Sequence, residues 1–503
     1  MIPVPGFEGR RIAVFGLGRS GLTAARALKA GGALPVLWDD SVSSRMQAEA
    51  EGFAVEDLTA ADWSGFAALV LSPGAPLTHP KPHWTVDKAK AAGVEIIGDI
   101  ELFACALDAL PKGERPRVVA ITGTNGKSTT TALIGWVFKQ AGITTHVGGN
   151  IGIGVLALPA PTPDAVYVIE VSSYQLDLTT SFAPDVAILT NVSPDHLERH
   201  GGMDGYVAAK ARIFQAQGPD GVALVGVDED WGKAVTDRLG DAGRAVTMVM
   251  SAHPGESRDP VLSSERGDGN ERRDSSSMPE RPKDWVPAFA GMGGCIGVAD
   301  GALTLQGTRI DLTSARSLPG RHNAQNAAFA WAAARALGVS HDAAVHGLMT
   351  FPGLAHRMEE VGRLGKVRFI NDSKATNADA ARQALMSYAR CFWIAGGRAK
   401  QGGIDDLEEL FPRVVEAFLI GEAAGPFAAR LGDTPHRISG DMATAVRQAA
   451  EAAAATGREE VVLLSPASAS FDQYPDFEAR GEAFRAAVLG LGARPFSGPA
   501  SAS

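Results

Sequence analysis

The chain has 503 residues, too many for one ordinary hydrophobic core, and at roughly 150 residues per domain about three domains are expected. Its 47 basic and 57 acidic residues leave a net charge of −10, which argues against general nucleic-acid binding, and the widely separated Cys105, Cys295 and Cys391 suggest neither a disulfide framework nor a zinc site. No uncharged stretch approaches the roughly 18 apolar residues of a membrane span, and MIPVPGFEGRRIAVFG enters a strand without a basic-then-apolar leader, so a cytoplasmic protein with no membrane insertion is expected.

Arg11 to Phe15 predicts a strand, Gly16-Leu-Gly18-Arg-Ser20-Gly21 a turn, Leu22 to Ala30 a helix, and Leu34 to Trp38 a second strand ending at Asp39. This is a Rossmann-type opening. Alternation continues through Ala67 to Leu71, Ser72-Pro-Gly74, and Val94 to Ile97, until Pro111-Lys-Gly-Glu-Arg-Pro116 reads as a linker.

Val118 to Thr129, VVAITGTNGKST, then runs from an apolar strand into a glycine-rich turn and a helix over Thr130 to Gln140. Gly123 and Gly126 can adopt backbone angles that turn successive N–H groups of Gly123, Thr124, Asn125 and Gly126 toward an anion, while Lys127 reaches phosphates and Ser128 can ligate Mg²⁺. The chain is therefore expected to use ATP. Ile121 stands where the common phosphate loop has its first glycine, so this loop is a shortened variant.

Further strands are expected at Ala165 to Ile169, followed by Glu170, and at Val186 to Leu189, followed by Ser193-Pro-Asp-His196. A strand-end glutamate is where such ATPases hold Mg²⁺, and His196 could be a second ligand; each could equally be a solvated loop residue. Lys210, four residues from both Tyr206 and Phe214 on an otherwise apolar helical face, should have a depressed pKa. A neutral amine there can take up CO₂ as a carbamate, although a lysine snorkelling past its neighbours has the same pattern. Residues 251–294, rich in Ser, Arg, Asp, Glu, Gly and Pro, read as a disordered or loosely packed surface insertion. A third α/β block opens near Phe351, with strands at Val367 to Ile370, Cys391 to Ala395 and Val461 to Leu464.

These residues, with Asn150 in GGNIG, Arg321-His-Asn323-Ala-Gln-Asn326, His356-Arg357, NDSKATN over 371–377 and SPASASFDQ over 465–473, resemble the Mur ligases over nearly the whole chain. NDSKATN and SPASASFDQ are far more specific than the phosphate loop. The resemblance implies three α/β domains: a Rossmann-like UDP-sugar domain over 1–112, a central ATPase domain with a mainly parallel sheet over 113–352, and a Rossmann-like amino-acid domain over 353–503. It also implies an ATP- and Mg²⁺-dependent monomeric ligase that adds D-glutamate to UDP-N-acetylmuramoyl-L-alanine through an acyl phosphate.

By that resemblance Gly16, Gly18, Ser20, Gly21, Asp39, Ser72, Gly74, Asn150 and Ser172 would bind the nucleotide sugar. Residues Gly123 to Thr129 with Asn323, Arg357 and Asp372 would bind ATP, and His356 would close around its base and ribose. Ser128, Glu170, His196 and a carbamylated Lys210 would hold Mg²⁺, with Lys127, Glu170, His196 and Lys210 forming the catalytic group. Lys374, Thr376, Lys400, Ser470 and Phe477 would form the D-glutamate pocket, where cations and hydroxyls suit a dicarboxylate. Arg398 departs from the acidic residue that family members often carry there. Two alternatives share parts of the pattern. A sibling ligase for another amino acid would keep the machinery around Lys127. An NAD-dependent oxidoreductase would use the glycine turn and Asp39 but leave the ATP loop unexplained.

Overall fold

The computed structural model describes residues 1–111, 113–251, 294–299, 301–305, 308–315, 317–399 and 402–495, which form three sheets. The first contains β1 (Arg11–Phe15), β2 (Leu34–Trp38), β3 (Ala54–Val55), β4 (Phe66–Leu71) and β5 (Glu95–Ile97), parallel throughout in the order β3-β2-β1-β4-β5. Chain order reverses between β1 and β4, the kind of switch point beside which open α/β sheets bind ligands.

The central sheet holds β6 (Arg117–Thr122), β7 (Thr145–Gly149), β8 (Val166–Glu170), β9 (Val186–Leu189), β10 (Val222–Gly226), β11 (Val246–Ser251), β12 (Gly294–Ala299), β13 (Ala302–Leu305) and β14 (Thr308–Asp311). Its order is β14-β13-β12-β11-β10-β9-β6-β8-β7, parallel except for the β12-β13-β14 edge. The unbroken apolar run of β6 is explained by burial on both faces: Val118 and Ala120 join one core, Val119 and Ile121 the other. On the second face lie Leu133, Val137 and Phe138 of the helix Lys127–Gln140 and the alanine-rich helix Arg321–Ala336.

The third sheet comprises β15 (Glu359–Leu364), β16 (Val367–Asn371), β17 (Cys391–Gly396), β18 (Val414–Ile420), β19 (His436–Gly440), β20 (Glu460–Leu464) and β21 (Arg494–Pro495). Its order is β19-β18-β17-β20-β16-β15-β21, with only β15 and β21 antiparallel to their neighbours. The expected mixed α/β architecture with parallel-rich sheets is therefore present. At the ends of the expected insertion Ser251 and Gly294 are instead strand residues of adjacent parallel strands, and 252–293 lies outside the described residues. Their β-branched and apolar neighbours, not the polar stretch they bound, decide their conformation.

The units join differently. One apolar core runs from Ile12 and Val14 of the first sheet through Phe103 to Tyr167 and Ile169 of the second. Gly98 N donates to Leu178 O at 3.1 Å, and the Gln175 amide donates to both oxygens of buried Asp99 at 3.1 and 3.0 Å. The third sheet keeps its own cores. It reaches the phosphate loop through polar side chains. Among the described residues no helix is long and apolar enough to cross a membrane.

Candidate active site

The phosphate loop follows β6 at the carboxyl end of the central sheet, beside the ends of β8 and β9. Gly123 has φ +146° and Gly126 φ +81°, and a Cβ at either would collide with Thr190 or Asn326, so both positions require glycine. The loop is held from behind: Asn125 N donates to Asn191 Oδ1 at 2.8 Å, and Thr190 Oγ1 donates to Asn125 O at 2.7 Å. Thr124 faces inward, its hydroxyl paired with Tyr206 OH at 3.1 Å and with Ser193. Thr129 is half-buried in the first turn of the following helix.

Lys127 Nζ donates to Gly123 O at 2.9 Å and Thr124 O at 2.8 Å. Lys210, 2% exposed, donates to the same Gly123 carbonyl at 2.6 Å and lies over the Tyr206 ring at 4.4 Å. Burial, then the neighbouring Lys127 cation, hold the Lys210 amine well below its ordinary value. The α-helix carrying it, Met203–Ala211, tightens into a 3₁₀ turn over Arg212–Phe214, earlier than the expected helical stretch ends.

Glu170 ends β8 and is buried; Asn150 Nδ2 donates to its Oε1 at 2.8 Å, while its Oε2 is buried without a hydrogen-bond partner. An unpaired buried carboxylate oxygen costs free energy unless a cation meets it. His196, at φ +54°, is partly exposed beside Asp195 and Tyr174. Among the described residues no three His, Cys, Asp or Glu side chains form a metal-holding group. The Glu170 carboxylate and the Ser128 hydroxyl are oxygen donors of the kind Mg²⁺ prefers, and Mg²⁺ commonly completes its shell with phosphate and water, whereas the His196 imidazole is a softer donor.

From the third unit, Arg357 Nη2 donates to Ser128 Oγ at 2.6 Å. Buried Asp372 accepts from Ser465 Oγ at 2.9 Å and Met358 N at 3.2 Å, and burial pushes it up to about 7. His356, buried at φ +61°, contacts Asn371 Nδ2 through Nδ1 at 3.0 Å and stands edge-on to Phe477. Asn323 Nδ2 caps Pro319 O at 2.9 Å, and Asn326 Nδ2 donates to Asn323 Oδ1 at 3.2 Å.

Lys374 Nζ lies 3.7 Å from the Phe477 ring centroid, lowered to about 8 by burial and next by Arg357. It also feels the charges of Glu170 and Lys127, so the expected nucleotide and amino-acid groups face one another across the units. Thr376 N donates to Lys374 O at 2.8 Å, and Ser470 is buried in the loop after β20. Arg398 pairs with Glu422 at 3.1 Å. Lys400 lies outside the described residues.

In the first unit a Cβ at Gly16 would strike Ser72, and one at Gly21 would strike the Gly16 carbonyl; Gly18, by contrast, is open, with nothing within 4 Å. Ser20 follows in the first turn of the helix Arg19–Ala30, and Gly74 beyond Ser72. Asp39 braces the turn, accepting from Leu17 N at 2.6 Å and Ser41 N at 2.8 Å. Ser172 caps a short helix through a reciprocal pair with Gln175, so its hydroxyl is already engaged. Arg199 donates to Gly74 O at 3.0 Å and Pro73 O at 3.2 Å, tying the Ser72–Gly74 loop to the His196 segment.

Over this site the sequence pattern of the Mur ligase middle domain matches residues 121–334, and that of the Mur ligase glutamate ligase domain matches residues 356–468. A UDP-N-acetylmuramoylalanine--D-glutamate ligase of Caulobacter vibrioides is 58% identical over 492 residues, covering 98% of each chain. The chain belongs to the Mur ligases. A ligase of the same name from Nitrobacter hamburgensis is 50% identical with 98% coverage of each chain. UDP-N-acetylmuramate-alanine ligase from Thermotoga maritima shares the fold, with a TM-score of 0.54 at 15% identity over 96% of this chain and 99% of that one.

Several residues of this Mur ligase site carry little or no mark in the sequence of their individual part in it. Asn326 has a signal, lying three residues beyond Asn323 on one helix face. Arg480 has none: 1% exposed, it donates to Ser373 O at 2.8 Å and Ser468 O at 3.0 Å, riveting the NDSKATN and SPASAS loops together. Asp379 has none either.

Proposed function

We infer that this chain is an ATP-dependent ligase that joins D-glutamate to UDP-N-acetylmuramoyl-L-alanine in cytoplasmic peptidoglycan precursor synthesis. The observation that carries the reading is the convergence of the Gly123–Gly126 loop, Lys127 and Glu170 with Lys374 and Arg357 of the third unit. The end-to-end likeness to ligases bearing that name supports the choice of substrates.

The L-alanyl carboxylate is a poor electrophile. Its oxygen attacks the ATP γ-phosphorus and ADP leaves, giving an acyl phosphate; the D-glutamate amine then attacks the carbonyl carbon, loses a proton, and phosphate departs as the amide forms. Lys127 is set to swing from the loop carbonyls to the β- and γ-phosphates, and the loop N–H groups bind the same anion. Arg357 brings a second, partly buried cation to Ser128. Ser128, Glu170, His196 and Lys210 as its carbamate would hold Mg²⁺, which when bound neutralises charge on the transferring phosphoryl group. The orphaned Glu170 Oε2 supports this assignment. For the carbamate, the neutral Lys210 amine attacks CO₂ and releases one proton; the remaining N–H can still donate to Gly123 O.

Gly16, Gly18 and the Ser72–Gly74 loop stand at the first-sheet switch point proposed for the UDP end, with Asn150 and Ser172 toward the muramoyl-alanine end. Lys374, Thr376, Ser470 and Phe477, with Lys400, take the amino acid. Closure of the three units excludes water that would hydrolyse the acyl phosphate. We assign a monomer. The reading is tested by phosphate release with D-glutamate, L-glutamate and a diamino acid; ligation of a different amino acid would make the chain a sibling ligase.

A further inference from the structure

Asp379 lies in the first turn of the helix Ala378–Met386, capped by Asn377, whose Oδ1 accepts from Ala380 N at 2.8 Å. An acidic residue there complements the helix dipole, and any first-turn carboxylate would do so. This one does more. Its Oδ2 accepts from Asn125 Nδ2, at the tip of the phosphate loop, and from Ser193 Oγ at 3.1 Å, in the turn leading to His196. These partners are 254 and 186 positions away in sequence, and both belong to the central unit.

The two donors are themselves fixed. Asn125 is clamped by Asn191 and Thr190, and Ser193 exchanges hydrogen bonds with Thr124 through its N–H at 3.1 Å and its carbonyl at 3.1 Å. On the other side, Asp379 follows Lys374 and Thr376 by a few residues in the same loop-to-helix segment. One carboxylate oxygen thus joins the phosphate loop, the His196 turn and the proposed amino-acid pocket, and neutral donors take its charge without placing another cation beside the phosphates.

We propose that Asp379 is a positioning residue that clasps the third unit onto the phosphate loop, so that the amino-acid pocket is held in register with ATP. The proposal rests on the ligase reading above. It predicts an asymmetric kinetic effect. The nucleotide sugar binds the first and central units, whose shared core does not depend on Asp379; the amino acid binds the unit that Asp379 anchors.

The test combines Asp379→Ala, Ser193→Ala and the double variant with a scattering measurement. Asp379→Ala is expected to raise KM for D-glutamate about tenfold, the effect of losing a hydrogen bond to a charged group, with KM for the nucleotide sugar within about twofold. The double variant should be no worse than Asp379→Ala, because both remove the same contact. Asp379→Asn, which keeps an acceptor oxygen, should recover part of the loss. Additive effects, or equal changes in both KM values, would overturn the clasp. Small-angle scattering with a non-hydrolysable ATP analogue and Mg²⁺ gives a readout free of turnover: Asp379→Ala should be more extended than the parent, and equal radii of gyration would reject the proposal. Failure of the parent enzyme to use D-glutamate would instead reject the ligase reading, leaving the scattering comparison to judge the clasp.

Discussion

Lys127 and Lys210 donate their side-chain nitrogens to one and the same carbonyl, that of Gly123, at 2.9 and 2.6 Å. Burial, and next the neighbouring Lys127 cation, disfavour the charged form and hold the Lys210 amine well below its ordinary value. The proposed carbamate on Lys210 has a direct spectroscopic test. Protein equilibrated with ¹³C-labelled CO₂ should show a carbamate carbon resonance that is missing from Lys210→Arg, and the variant should lose at least about 100-fold in kcat, as for removal of an electrostatic stabiliser. A parent spectrum without that resonance would contradict the assignment.

Glu170 offers a metal-dependent test without turnover. Glu170→Gln keeps an acceptor for Asn150 and removes the negative charge whose Oε2 lacks a partner. Stability without ligand should fall, since Lys127, Arg357 and Lys374 all lie in the field of this carboxylate and would lose their shared counter-charge. The increase in thermal midpoint that Mg²⁺ and an ATP analogue confer on the parent should largely vanish. A variant that responds to Mg²⁺ like the parent would remove Glu170 from the metal site.

Gly18 and Gly21 separate binding from packing. Gly18 has φ −65°, and a Cβ there would have nothing within 4 Å, whereas a Cβ at Gly21 meets the Gly16 carbonyl. Gly18→Ala should therefore leave the melting temperature within about 1 °C yet raise KM for the nucleotide sugar, because the methyl stands where the diphosphate needs backbone access. Gly21→Ala should destabilise by about 2 kcal/mol or more. Unchanged KM in Gly18→Ala would move the diphosphate away from this turn.

The strands Arg11–Phe15, Leu34–Trp38 and Val186–Leu189 are legible in the sequence because each is a short apolar run bounded by turn residues, buried on both faces of a parallel sheet. The phosphate loop is legible because its glycines and Lys127 are adjacent in sequence. Asp379, Arg480 and Arg199 are not, because their partners are brought near only by folding: nothing local distinguishes Asp379 from a helix-start acid, or Arg199 from a solvated arginine. Strands β12 to β14 hide beyond the polar stretch that separates β11 from them in the sequence.

Lys374 gives the pH prediction. Burial and the Arg357 cation lower its ammonium to about 8, and only the protonated form attracts a carboxylate. Binding should be flat below pH 8 and weaken above it, by up to about tenfold per unit. Glutarate, a dicarboxylate with no amine of its own to titrate, reports this cleanly as a competitive inhibitor. Its Ki should rise above about pH 8 in the parent and be weak and pH-independent in Lys374→Met; a parent Ki constant to about pH 9.5 would contradict the assignment.

The most direct measurement is phosphate release from ATP by the purified protein with UDP-N-acetylmuramoyl-L-alanine and Mg²⁺, with D-glutamate added or omitted and the product mass determined. Release dependent on D-glutamate, with product mass equal to the two substrates less one water, is the predicted result. Release only with another amino acid, or none with D-glutamate, would contradict the account.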